Sequence, residues 1–115
     1  MIEIELGGKK RKFSFGLDML GWVQKDSGLD ITETSDMPSN ALFFILIKPI
    51  IYRGNERELK KEGSKPDYTY DEVENWIKDK GMYHEDIMSL WGAFNETIVD
   101  LTPKTSKKLK GEKKS

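Results

Sequence analysis

The chain has 115 residues, the size of one ordinary domain, and it contains no cysteine, which excludes disulfides and thiolate metal sites. Its hydrophobic fraction is 37%, and five Phe, four Tyr and three Trp can each remove a large apolar area from water. The net charge of −1 conceals an asymmetry: residues 1–102 carry 13 basic and 19 acidic side chains, a balance of −6, whereas residues 103–115 carry six lysines and one glutamate, a balance of +5.

The chain opens Met1-Ile2-Glu3-Ile4-Glu5, with neither the basic start nor the continuous apolar run of a secretory signal, so export is not expected. Ile2, Ile4 and Leu6 alternate with Glu3 and Glu5, the period of a strand with one face on a core. Gly7-Gly8 tolerates positive φ, Lys9–Lys12 reads as a soluble turn region, and Phe13-Ser14-Phe15 resumes the alternation. The expected hairpin therefore pairs Ile2–Leu6 with Lys12–Phe15. A lone hairpin is marginal in water, so helices must cover its apolar face.

The first helix is expected over Leu17–Ser27, with Leu17, Leu20 and Val23 as its stripe, Met19 and Trp22 flanking, and Gly28 as its stop. Leu29–Met37 is polar and acidic and reads as a loop. Pro38, Ser39 and Asn40 suit a helix start before Ala41. The run Ala41–Tyr52 is apolar on every side, as in a helix buried by its own domain or by another chain. A buried strand over Phe43–Ile47 would satisfy the same run. At well under the ~20 residues of a membrane span, and with Lys48 and Pro49 inside it, the segment does not predict a crossing.

Pro49 removes a backbone donor, so a kink or an end is expected near Lys48. Arg53–Asp67, with Gly54, Gly63 and Pro66, reads as a charged linker with a helical turn around Glu56–Lys61. Thr69 with Glu72 forms a capping box ahead of Val73, Trp76 and Ile77. The final helix begins near His84–Glu85 and carries Ile87, Leu90, Trp91, Phe94, Ile98 and Leu101 at spacings of three and four before Pro103. The fold class is mainly α within α+β: a hairpin and about four helices in one domain, residues 1–102. With only Leu109 as a large apolar residue, the lysine-rich segment 103–115 is expected to be disordered.

Catalytic chemistry is looked for in vain. The single histidine, His84, has no ligand constellation of familiar spacing and reads as a capping or surface residue. Asp71, Glu72 and Glu74 could form a carboxylate or magnesium site, yet acidic residues in a first helical turn are what the helix dipole favours. Gly7-Gly8-Lys9-Lys10 lacks Walker spacing and sits in a hairpin. The lysines at 104, 107, 108, 110, 113 and 114 could contact phosphates, but this segment has no arginine and no aromatic residue for stacking, and the body is acidic. Trp22, Trp76 and Trp91 suit core packing, with binding hot spots as the alternative. No enzyme activity, cofactor or metal is expected.

Ile2-Glu3-Ile4-Glu5-Leu6-Gly7-Gly8, then Lys12-Phe13-Ser14-Phe15-Gly16 and Leu17-Asp18-Met19-Leu20, resembles the opening of the bacteriophage tail assembly chaperones of long-tailed (siphovirus-type) phages. The strongly apolar middle helix, polar linker, capped helix, final amphipathic helix and charged tail extend the resemblance over residues 1–102. It implies a protein that coats and solubilises the tape measure protein, helps recruit tail tube protein, acts in the host bacterial cytoplasm and is absent from the mature virion. It also implies a homo-oligomer and, in many such proteins, a longer form made by ribosomal frameshifting, which an adenine run encoding Lys113-Lys114 would permit. Phe43, Phe44, Ile47 and Ile51, with Trp91, Phe94 and Ile98, are the candidates for client binding or self-association. The alternatives are a head–tail connector component and an antitoxin-like DNA-binding module.

Overall fold

The computed structural model describes residues 1–29 and 39–101. In chain order they form β1 (Ile2–Leu6), β2 (Lys9–Phe13), α1 (Leu17–Ser27), α2 (Ser39–Lys61), α3 (Tyr70–Lys80) and α4 (Glu85–Leu101). The hairpin and the four helices expected from the sequence are present. The expected loop at 30–37 and the lysine-rich segment after Thr102 lie outside the described residues, apart from Leu29.

The hairpin turn is tighter than the sequence suggested. Gly7 and Gly8 both hold positive φ, 65° and 85°, and alone connect the strands, in the pattern of a type I′ turn. The register runs from Leu6 opposite Lys9 to Ile2 opposite Phe13. Lys9–Lys12 is therefore strand, not turn, and Phe15 lies beyond it. Directly opposed residues share a face, so Arg11 joins Ile4, Leu6 and Phe13 on the buried side. A side chain at Gly7 would collide with the Trp76 indole, so this position needs glycine both for its φ and for its clearance.

α1 ends at Gly28 in the left-handed conformation, whose N–H donates to the Gln24 carbonyl at 2.8 Å. It buries Met19 and Val23 and leaves Leu17 and Trp22 exposed. The expected stripe is thus displaced: α1 meets its neighbours along one narrow i, i+4 line, and Trp22 lies outward under the cations of Arg53 and Lys25, 4.9 and 5.3 Å from the ring.

α2 runs 23 residues through Pro49 without ending. Proline inside a helix costs about 3 kcal/mol. Leu46, Ile47, Ile50 and Ile51 are buried on either side of it, and a buried aliphatic side chain stabilises by about 1.5–3 kcal/mol. Tertiary burial wins. The Ile45 carbonyl, left without its helical donor, belongs to a residue on the exposed face, where water can serve it.

The all-round apolar character of Ala41–Tyr52 follows from two neighbours. Phe43, Ile47 and Ile51 face a cluster with Ile4, Leu6, Phe13, Val73, Trp76, Ile77, Ile87 and Leu90. Leu46 and Ile50 face a second cluster with Met19, Val23 and Phe94.

The expected linker beyond Arg53 is helix as far as Lys61. Gly54 does not break it, because the Phe15 ring occupies the place of the missing Cβ, 2.6 Å from where that atom would stand. Asn55 turns inward, its amide donating to the Lys12 carbonyl at 2.8 Å and accepting from the Tyr68 hydroxyl at 2.6 Å. The charged residues face outward in ion pairs: Arg53 with Asp26 and Glu56, and Arg57 with Asp18. α3 begins with the expected capping box, Thr69 and Glu72 each bonding the other's backbone N–H. It buries Val73, Trp76 and Ile77. α4 buries Ile87, Leu90 and Phe94 and holds Trp91 and Ile98 partly buried against the core.

Two glycine substitutions test this packing. Gly21→Ala, in α1 with open space around it, should stabilise the chain by about 0.5–1 kcal/mol in urea unfolding, the helical gain of alanine over glycine. Gly54→Ala should destabilise it, because the Phe15 ring must move; equal stabilisation by both would contradict the Gly54–Phe15 contact.

Candidate functional site

Among the described residues, Phe44, Ile45, Tyr83 and Met88 are large apolar side chains left 47, 40, 67 and 37% exposed. Three elements bring Phe44 and Tyr83 together. Phe43 and Phe44 follow one another at the start of α2, so one ring turns into the core and the other out of it. Gly81, at φ 102°, closes α3, and the turn carrying Tyr83 is fixed by the His84 N–H on the Gly81 carbonyl at 3.0 Å.

The Tyr83 ring stacks over Phe43 at 5.9 Å and meets Phe44 at 6.3 Å. Phe43 also meets the edge of Trp91 at 5.4 Å, and Trp91 stacks on Phe94 at 6.4 Å. A row of rings thus leads from the surface to the core. Its outer end is apolar and unshielded, and its inner end is rigid, the combination that suits a contact surface.

The candidate residues divide accordingly. Phe43, Ile47, Ile51 and Phe94 are buried in the chain's own core, and Trp91 and Ile98 are partly buried. Phe44 alone of the seven projects from the surface. Tyr83, Ile45 and Met88 were not singled out in the sequence. Tyr83 follows a glycine stop and belongs to no periodic stripe; Ile45 and Met88 are flanked by residues that do face the core.

The acidic cluster at the start of α3 has structural partners. Glu72 completes the capping box, while Asp71 and Glu74 lie 3.5 and 3.4 Å from the Lys48 ammonium. Lys48 also stands 4.4 Å over the Tyr70 ring, and burial pushes that phenol up to about 12. His84 is half-exposed, and its Nδ1 accepts from the Asp86 N–H at 3.0 Å. No group of three or more His, Cys, Asp or Glu among the described residues could hold a metal ion, and no described helix is long and apolar enough to cross a membrane.

The Lys9-Lys10-Arg11-Lys12 run is largely neutralised. Lys9 pairs with Asp67 and Lys12 with Glu62. Arg11 is buried, its carbon centre 4.3 Å from the Trp76 ring and 4.9 Å from that of Tyr68. Its Nε donates to the Leu6 carbonyl at 2.7 Å and its terminal nitrogen to Asp67 at 2.9 Å. Hydrogen bonds from Lys9 and then Arg11 hold the Asp67 carboxyl down at about 2, against an ordinary 3.8. Burial raises the Tyr68 phenol strongly, so it remains a donor to Asn55. Asp26, bonded through both carboxylate oxygens, holds Arg53 charged. Sequence reasoning missed Arg11, although a two-residue Gly-Gly turn would have set it opposite Ile4.

No protein-family model matches the chain, and no curated protein or solved structure matches it either.

Because the Asp67 value is depressed on folding, its stabilising contribution is complete above 3.8 and is lost as pH falls toward about 2. Asp67→Asn should be less stable than the parent chain at neutral pH. The difference should close over that acid window in thermal unfolding followed by circular dichroism. A constant difference at all pH values would mean that the ion pairs of Asp67 contribute nothing.

Proposed function

We propose that this chain is a tail assembly chaperone of a long-tailed bacteriophage, covering the apolar surface of the tape measure protein and assisting the recruitment of tail tube subunits. The observation that supports this reading is the exposed patch of Phe44, Ile45, Tyr83 and Met88, set on a rigid aromatic base. The resemblance of residues 1–102 to that family supplies the client. A tape measure protein is long, helical and apolar, and such a helix aggregates unless its stripe is covered. Laying the stripe of such a helix on this patch would bury four large side chains at about 1.5–3 kcal/mol each, before the costs of association.

Copies of the chain repeated along one client would add avidity without new contacts. The same patch accounts for the proposed self-association. A frameshifted longer form would carry the part that engages tail tube protein, leaving the chain described here to hold the client in the host cytoplasm until assembly, outside the finished virion.

Co-expression with the phage's own tape measure protein tests this. The client should become soluble and co-purify, and Phe44→Asp with Tyr83→Ser should weaken the complex by at least about tenfold, ~1.4 kcal/mol. Because both side chains lie on the surface, unfolding free energy should change by no more than about 0.5 kcal/mol. Sedimentation should show oligomers of the parent chain that dissociate on Phe44→Asp. An insoluble client, together with this chain in purified virions, would favour the connector reading.

A further inference from the structure

The two edges of the hairpin differ. In a hairpin closed by a two-residue turn, the flanking pair exchanges hydrogen bonds and every second pair thereafter does so again. Here those pairs are Leu6 with Lys9, Ile4 with Arg11 and Ile2 with Phe13. The backbone groups of Glu3 and Glu5 therefore point away from β2, along the outer edge of β1. The outer edge of β2 is closed by α2, where the Lys12 carbonyl accepts from Asn55 and the Ser14 N–H donates to the Gly54 carbonyl at 3.2 Å.

On β1 the Glu5 carbonyl accepts from the Lys80 ammonium at 3.0 Å, which is itself held 3.0 Å from Asp86. The Glu5 N–H and both backbone groups of Glu3 have no partner among the described residues. Their side chains are exposed and make no ion pair there.

We propose that the outer edge of β1 is a strand-addition site for an extended, basic segment of a partner polypeptide, with Lys or Arg alternating with apolar residues. A strand laid on this edge places every second side chain beside Glu3 and Glu5 on the solvent face, where a cation is favoured. Its intervening side chains fall beside Ile2 and Ile4 on the core face, where aliphatic residues fit. A second copy of β1 is the wrong occupant, because it would set glutamates against glutamates.

Lys80 guards the edge, as lysines on edge strands do. Its ammonium must yield the Glu5 carbonyl to the incoming N–H, so only a segment that also satisfies Glu3 and Glu5 gains by displacing it. The site is separate from the Phe44–Tyr83 patch and does not rest on its assignment.

The test uses the full chain labelled with 15N and an acetylated, amidated peptide of alternating lysine and valine. Binding should shift the amides of β1 and slow hydrogen exchange at Glu3 and Glu5. A glutamate–valine peptide, and a peptide of the same lysine and valine content in two blocks, should not do so. Glu3→Lys with Glu5→Lys should weaken the lysine peptide by about tenfold and create binding of the glutamate peptide. Glu3→Pro, which removes only an outward N–H, should abolish addition; should that variant fold poorly, the charge reversal still decides.

Equal binding by the blocked peptide, or indifference to the charge reversal, would overturn the proposal. Binding seen only after truncation at Thr102 would overturn it too, in favour of the chain's own lysine-rich segment as occupant.

Discussion

The buried guanidinium of Arg11 is the point at which the hairpin becomes part of the fold. It lies against the rings of Trp76 and Tyr68, bonds the Leu6 carbonyl at the turn and reaches Asp67 in the segment before α3. Burying a cation is costly unless it is paired and hydrogen-bonded. Here two rings, a carbonyl and a carboxylate meet it, and a desolvated cation–π contact alone can contribute about 2 kcal/mol. Tyr68 then passes the connection to Asn55, and Asn55 to the Lys12 carbonyl. Removing Arg11 would leave two aromatic rings and a carbonyl without their shared partner, in the part of the core where a two-stranded sheet has least support of its own.

α2 is the second constraint. One of its faces belongs to the cluster with the hairpin, α3 and α4, the other to the cluster with α1. Its first half supplies the apolar residues that join the two clusters, and its second half holds the hairpin through Gly54 and Asn55. Phe44 and Ile45 lie on the remaining sector, which no described element covers. The exposed patch is therefore a consequence of the architecture: a helix with apolar residues on every side, packed by its own chain on two sides, presents a third.

Features governed by short-range chemistry could be read from the sequence. The Gly-Gly turn, the Thr69–Glu72 capping box, the Gly28 stop and the stripe of Ile87, Leu90 and Phe94 all follow from neighbours within about one turn of chain. Pro49 and Gly54 misled because their local penalties are offset by contacts distant in sequence, the packing of Ile47, Ile50 and Ile51 in one case and the ring of Phe15 in the other. Arg11 and Asn55 look like surface residues until the partners that satisfy them are in place. For the candidate site, periodicity identified the right helix but could not separate Phe44 from Phe43, Ile47 and Ile51, since every direction around that helix is apolar. Tyr83 carried no periodic signal at all.

The central functional claim is that the client lies against Phe44 and Tyr83 and not against the other exposed aromatic residue, Trp22, which is flanked by Arg53 and Lys25. Site-specific photo-crosslinking measures this most directly, with a photoreactive phenylalanine analogue placed at position 44 or at position 22 in chains co-expressed with the tape measure protein. Crosslinks to the client from position 44, and few or none from position 22, are predicted. Crosslinks from position 22 with none from position 44 would contradict the assignment of the Phe44–Tyr83 patch as the client surface.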